Sequence, residues 1–186
     1  MLEKKLYELN KKISSCTNCL LHKTRFKTVF YRGNIKAKLM IIGEAPGYYE
    51  DKKGIPFIGK SGQLLDKILF NIGLKNIYIT NVIKCRPPNN REPTFEELIK
   101  CSSYLEEQIK LINPIFMVAL GRISGKFLLK QTSIVLNRNR NKIFFYKKIP
   151  FMITYHPSYL LRHPSNIKFF YSDFYHVKSY LKKYKY

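Results

Sequence analysis

The sequence predicts an α/β fold: a single domain with a central, mostly parallel four-stranded sheet flanked by helices. Its 186 residues suffice for one domain with one core and leave little room for two. Short apolar runs with strand character alternate with longer segments of helical period, the pattern of strands joined by covering helices. No internal repeat or low-complexity linker interrupts that alternation.

The elements follow in order. The first twelve residues are charged and helical in pattern, and the arm 1–30 precedes the first strand of the alternation. Residues 37–42 read as a buried strand that ends in Gly43-Glu44-Ala45-Pro46-Gly47, a loop rich in backbone punctuation. Ser61 is placed to cap a helix over residues 62–71, with Leu64, Leu65, Ile68 and Leu69 on one face. Residues 76–80 form a second β run. Thr94 followed by Glu97 is a capping-box signature for a helix over 95–112. Residues 115–120 form a third strand, closed by Gly121 and followed by a helix of about ten residues. The basic, Asn-rich stretch 130–148 reads as a loop or hairpin. Residues 151–154 form the last strand, ending at His156-Pro157. The tail 166–186 is amphipathic and helical, with Lys178, Lys182, Lys183 and Lys185 as a basic face.

In parallel sheets the loops at the carboxyl ends of the strands build the site. Here those loops are 43–50, 81–91 and 156–162, and they hold the residues with chemistry to offer. Charge adds a class of partner: 34 Lys+Arg against 12 Asp+Glu leave a net +22, most readily balanced by a polyanion. A compositional habit of the source, rich in Lys, Asn, Ile and Tyr, is the competing explanation of that excess. No apolar run reaches the roughly 20 residues that cross a bilayer, and the N-terminus lacks the apolar centre of a signal peptide. The expectation is a soluble, intracellular monomer, cytoplasmic and nucleoid-associated, or nuclear in a eukaryotic or viral source, with no membrane partner.

In that setting the four cysteines predict a metal or cluster site rather than disulfides. Cys16 and Cys19 form a Cys-x-x-Cys unit, while Cys85 and Cys101 stand apart from it and from each other. Four thiolates suit tetrahedral zinc or a [4Fe–4S] cluster. Spacing alone does not choose, but a zinc ribbon usually shows two close pairs, and the scattered contexts here favour the cluster.

Three segments in order resemble the family 4 uracil-DNA glycosylases. The first is Gly43-Glu44-Ala45-Pro46-Gly47-Tyr48-Tyr49-Glu50-Asp51 with Gly54-Ile55-Pro56-Phe57-Ile58-Gly59 and Ser61-Gly62-Gln63-Leu64-Leu65-Asp66. Next come Asn81-Val82-Ile83-Lys84-Cys85-Arg86-Pro87-Pro88-Asn89-Asn90-Arg91-Glu92-Pro93, and finally His156-Pro157-Ser158-Tyr159-Leu160-Leu161-Arg162. The resemblance runs over about residues 10–180, and the four cysteines match that family's cluster ligands one by one. It implies a three-layer glycosylase fold, a [4Fe–4S] cluster on Cys16, Cys19, Cys85 and Cys101 that ties in the arm 1–30, and hydrolysis of uracil from single- and double-stranded DNA at the start of base excision repair.

The resemblance also assigns roles that the chemistry requires. A base must leave the stack for a fitted pocket. Phe57 is placed to stack on it, and the Asn81 amide can match uracil N3–H and O4 together, a pattern that cytosine reverses. His156 is the donor for the uracil anion at O2. Ala45 departs from the best-known uracil glycosylase family, which carries an Asp at that position, and it contributes only backbone. The water activator therefore lies between Glu44 and Glu50, with Glu44 preferred. Leu160 or Leu161 is the wedge that fills the emptied stack, and Lys60, Arg86, Arg91 and Arg162 are phosphate contacts. A covalently uracil-trapping or non-catalytic relative is the alternative, although residues 86–93 contain no His. A sliding clamp or polymerase is a candidate partner.

Overall fold

A computed structural model describes residues 1–184, so Lys185 of the expected basic tail lies outside the described residues. Its sheet has six strands: β1 (Arg32–Gly33), β2 (Leu39–Gly43), β3 (Ile77–Asn81), β4 (Phe116–Leu120), β5 (Ile143–Tyr146) and β6 (Ile149–Thr154). The spatial order is β1-β3-β2-β4-β6-β5. The four expected strands are its centre, and all three pairings among them are parallel. The antiparallel edge β1 was missed, whereas β5 makes with β6 the hairpin that was one of the two readings of residues 130–148. β1 is too short to show any period. β5 sits in the basic stretch, and the turn joining it to β6 puts Lys147 and Lys148 at φ 47° and 74°. Hairpin turns of that kind are normally announced by Asn or Gly, and lysine announces nothing.

Successive strand residues face opposite sides. Met40, Ile42, Met117, Ala119, Phe151 and Ile153 join one core with α1 (Leu2–Ser14), α4 (Phe95–Ile112) and α5 (Arg122–Leu129). Leu39, Ile41, Val118, Leu120 and Met152 join a second core with α3 (Lys60–Ile72) and α8 (Ile167–Lys182). Both faces are covered, which is why the central strands are buried along their whole length. In α1, Leu6, Leu9 and Ile13 are buried together with Leu105, Ile109 and Ile112 of α4, so the N-terminal arm has an apolar anchor besides its cysteines.

Local chemistry sets the helix ends. The Thr94 hydroxyl accepts the Glu97 N–H while the Glu97 carboxylate accepts the Thr94 N–H, the full capping box. By contrast α3 starts before Ser61, with Gly59 as its cap. The reason lies outside the helix: the Glu50 carboxylate binds the Gly59 N–H and fixes the chain at that point. Three short helices crowd the carboxyl edge of the sheet: α2 (Tyr48–Lys53), α6 (Leu136–Asn139) and α7 (Pro157–Arg162). Along α8, Lys178 donates to the Ile72 carbonyl at the end of α3, whereas Lys182 and Lys183 are exposed. Among the described residues no helix is long and apolar enough to cross a membrane.

One buried ion pair fastens α8 beneath the site. The Arg140 guanidinium holds both Asp173 oxygens, at 2.6 and 3.2 Å, and the Thr154 hydroxyl donates to the same carboxylate. Burial pushes the Asp173 carboxyl upward despite those partners. Removing one partner of such a pair strands the other, so Asp173→Ala should lower unfolding stability by about 3–5 kcal/mol in a urea titration.

Candidate active site

Parallel register brings the first and second loops together. Gly43 at the end of β2 pairs with Asn81 at the end of β3. The third loop leaves β6 two strands away, beyond β4. The chain crosses from β3 to β4 over β2, so the strand order reverses here and the loops part into a cleft. Glu44, Ala45, Glu50, Phe57, Lys60, Asn81, Arg91, His156 and Arg162 all line it.

Gly43 sets the innermost wall. A Cβ there would collide with both the Asn81 amide and the Phe57 ring, so its hydrogen side chain lets those two groups meet. The Asn81 side chain is buried, and its Oδ1 has no hydrogen-bond partner. An unpaired amide oxygen in that position is an acceptor held ready for a donor. Phe57 is 6% exposed and its ring centroid lies 5.9 Å from that of His156. Its φ is 57°, a left-handed conformation costly for a bulky residue.

Glu50 supports that conformation. Its Oε1 accepts the Ile58 N–H at 2.9 Å and the Gly59 N–H at 2.7 Å, clamping the turn just beyond Phe57. The clamp gives this carboxylate a defined structural task. Glu44 is different: among the described residues its carboxylate accepts no hydrogen bond, and its pKa rises to about 7. Burial is the main cause, followed by repulsion from Glu92 and offset by Arg122. Arg122 and Glu92 pair with each other at 2.6 Å.

His156 caps α7. The Ser158 N–H donates to Nδ1 at 3.2 Å, and the Ser158 hydroxyl lies 2.7 Å from the same atom. Nδ1 therefore accepts, and the neutral ring carries its proton on Nε2. Burial, then the nearby Arg162 charge, lowers the His156 pKa to about 4, so the ring is neutral at physiological pH.

One expected contact needs correction, and two of the expected phosphate contacts have partners within the protein. Leu160 is fully buried in the core and has no freedom to act as a wedge, whereas Leu161 is 45% exposed. The Arg91 fork is taken by Glu97, with contacts of 2.9 and 2.6 Å. Arg86 lies outside the cleft lining, bonded to Asn90 and set over the Tyr48 ring. Arg122, Glu92 and Ser158 were missed. Arg122 follows the third strand at its carboxyl end, so the rule that selected the other loops could have found it.

The four cysteines meet beneath this site. Cys16, Cys19, Cys85 and Cys101 line one small cavity, with Arg25, Lys84 and Tyr104 around it. Cys85 Sγ receives the Arg25 guanidinium at 3.2 Å, and Cys101 Sγ receives the Lys84 N–H at 3.4 Å. Burial pushes the Cys101 thiol up to about 11 and the Cys85 thiol upward as well, so positive charge must be supplied to hold them as thiolates. Among the described residues no group of three or more His, Cys, Asp or Glu is arranged to hold a single metal ion. Lys84 itself is buried, and its ammonium donates to Thr80 Oγ1 and the Asn81 carbonyl, tying the cysteine loop to the cleft.

Comparison with known proteins adds to this geometry. A family model described as the uracil DNA glycosylase superfamily matches residues 30–182. A type-4 uracil-DNA glycosylase of Archaeoglobus fulgidus is 42% identical over 178 residues, covering 91% of this chain and 89% of the relative. One from Thermotoga maritima is 39% identical, covering 94% of each chain. Another, from Sulfurisphaera tokodaii, is 40% identical over 91% of this chain and 81% of its own.

Gly62 is the weak point of the cleft wall. A Cβ at that position would overlap the Phe57 carbonyl backbone. Gly62→Ala should cost about 1–3 kcal/mol of stability, the usual scale of overpacking, and displace Phe57. Denaturant titration measures the first effect, and a crystal structure of the variant measures the second.

Proposed function

The chain belongs to the uracil DNA glycosylase superfamily, and from that premise we propose how its residues release uracil from DNA. The carrying observation is the buried, unpaired Asn81 Oδ1 beside the Phe57 ring. Uracil turned out of the stack lies on Phe57, gives its N3–H to that oxygen and accepts the Asn81 amide N–H at O4. Cytosine offers an acceptor at N3 and a donor at the exocyclic group, leaving both halves of the amide unpaired, which is how buried polar groups reject an analogue.

The C1′–N1 bond breaks with its electron pair moving into the uracil ring, toward O2. His156 Nε2–H donates to that oxygen as charge develops, and its neutral state avoids competing with the substrate for a proton. Backbone N–H groups of the loop containing Ala45 add to the anion site. Water then attacks C1′, and Glu44 takes its proton. Glu44 suits this task better than Glu50 because its carboxylate is uncommitted and titrates near neutrality. Lys60 and Arg162 hold the backbone phosphates at the cleft rim, and Leu161 fills the vacated stack. DNA is thus the partner; an intracellular location follows from that substrate.

We also propose that Cys16, Cys19, Cys85 and Cys101 hold a [4Fe–4S] cluster. Their shared cavity, the N–H and guanidinium groups directed at sulfur, and the type-4 relatives support it. Bound there, the cluster would cross-link the N-terminal arm to the loop and helix that carry Cys85 and Cys101. Elemental analysis should return about four iron and four sulfide per chain; stoichiometric zinc would overturn the assignment.

His156→Ala should slow single-turnover uracil release by about 10²–10³, the scale of one lost charge-stabilising donor. Glu44→Gln should cost about 10²–10⁴. Glu50→Gln keeps an acceptor oxygen for the clamp and should stay within about tenfold, the difference between a charged and a neutral acceptor. The reverse order would exchange the two roles. A carboxylate base works deprotonated, so the rate should fall as pH drops through about 7. Glu92→Gln removes a like charge, and the acidic limb of the kcat/KM profile should move to lower pH. A profile flat from pH 5 to 8 would remove Glu44 as the base.

A further inference from the structure

Outside the catalytic groups, one side of the cleft mouth continues as a row of aromatic rings and cations. Tyr49 stands at the cleft beside Gly59, and Tyr48 packs against it edge to face, with centroids 5.4 Å apart. The Arg86 guanidinium lies 5.1 Å and the Lys52 ammonium 5.7 Å from the Tyr48 ring. Lys52 also lies over the ring of Phe26, which comes from the N-terminal arm. That distant residue is fixed there: buried Asp51 of α2 accepts the Phe26 N–H at 3.0 Å and the Lys27 N–H at 3.4 Å.

These rings are largely open to solvent. Phe26 is 64%, Tyr48 48% and Tyr49 61% exposed, although each is large and apolar enough to be buried. Water-exposed rings set beside cations, on a chain of net charge +22, match the chemistry of a nucleic-acid strand. Such a strand offers π-faces to the rings and phosphates to the cations. The row starts at the cleft wall with Tyr49 and Tyr48, so it adjoins the site where the flipped nucleotide is held.

We propose that Phe26, Tyr48 and Tyr49, with Lys52 between Phe26 and Tyr48 and Arg86 beside Tyr48, form a ledge that stacks unpaired bases of single-stranded DNA beside the flipped uracil. This deepens the glycosylase reading and rests on it. Bases of a duplex are stacked between their neighbours and have no free face to give, so the ledge acts on single strands. It gives the enzyme a hold on DNA exposed by replication or transcription, where no partner strand keeps the substrate in shape.

Binding of a uracil-free oligonucleotide, single-stranded or as a blunt duplex, should be measured by fluorescence anisotropy at fixed salt. Uracil release by each protein should be measured alongside. Phe26→Ala and Tyr48→Ala should each weaken single-strand binding about tenfold, the scale of one lost base–ring stack. Duplex binding by Phe26→Ala should change less than about twofold, as for an ordinary surface substitution. Phe26→Trp should restore single-strand binding, which a purely structural part would not require. Unchanged single-strand binding, or equal weakening on both DNAs, would overturn the ledge while wild-type uracil release left the glycosylase reading standing. A wild-type protein that neither binds DNA nor releases uracil would overturn both.

Discussion

One carboxylate oxygen holds the pocket in shape. Glu50 Oε1 gathers the N–H groups of Ile58 and Gly59, and by doing so keeps Phe57 in a left-handed backbone state that its size disfavours. The placement of the Phe57 ring against Gly43 and the start of α3 both follow from that turn. Two glycines make it feasible, Gly43 in front of the ring and Gly62 behind the carbonyl. A charge-assisted bond to two donors outweighs a conformational cost of about 1–3 kcal/mol, so the strain is held in the folded state.

Around this rigid wall the electrostatics are divided. His156 is surrounded so that it stays neutral, with Nδ1 occupied by Ser158 and Nε2–H free. Glu44 is surrounded so that it is only loosely ionised, with Arg122 softening the repulsion from Glu92. The two groups flank one cleft yet are tuned in opposite senses, one kept from gaining a proton and the other ready to take one. Such divergence between neighbouring titratable groups is a signature of assigned acid–base work.

Much of this was legible in the sequence. The four central strands carry continuous apolar runs, and the capping box at Thr94 and Glu97 is a local pattern that tertiary contacts did not override. Asn81 and His156 stood out because they lie at or just beyond strand ends, within the segments that resemble the family 4 uracil-DNA glycosylases. Other features were hidden by distance. Glu50 and Gly59 meet through space, so Ser61 looked like the cap. Leu160 and Leu161 are equivalent in the chain, and only the direction of α7 sends one into the core and the other to the surface. The edge strand β1 was invisible for want of length, and β5 was read only as part of a loop or hairpin for want of a telling turn residue.

The packing of α1 against α4 has a consequence in time. Leu6, Leu9 and Ile13 are made before their partners Leu105, Ile109 and Ile112, with β1, β2 and β3 synthesised in between. Until α4 follows, the apolar face of α1 lacks that partner. Such a face, exposed throughout that interval, is the kind of surface on which chaperones act.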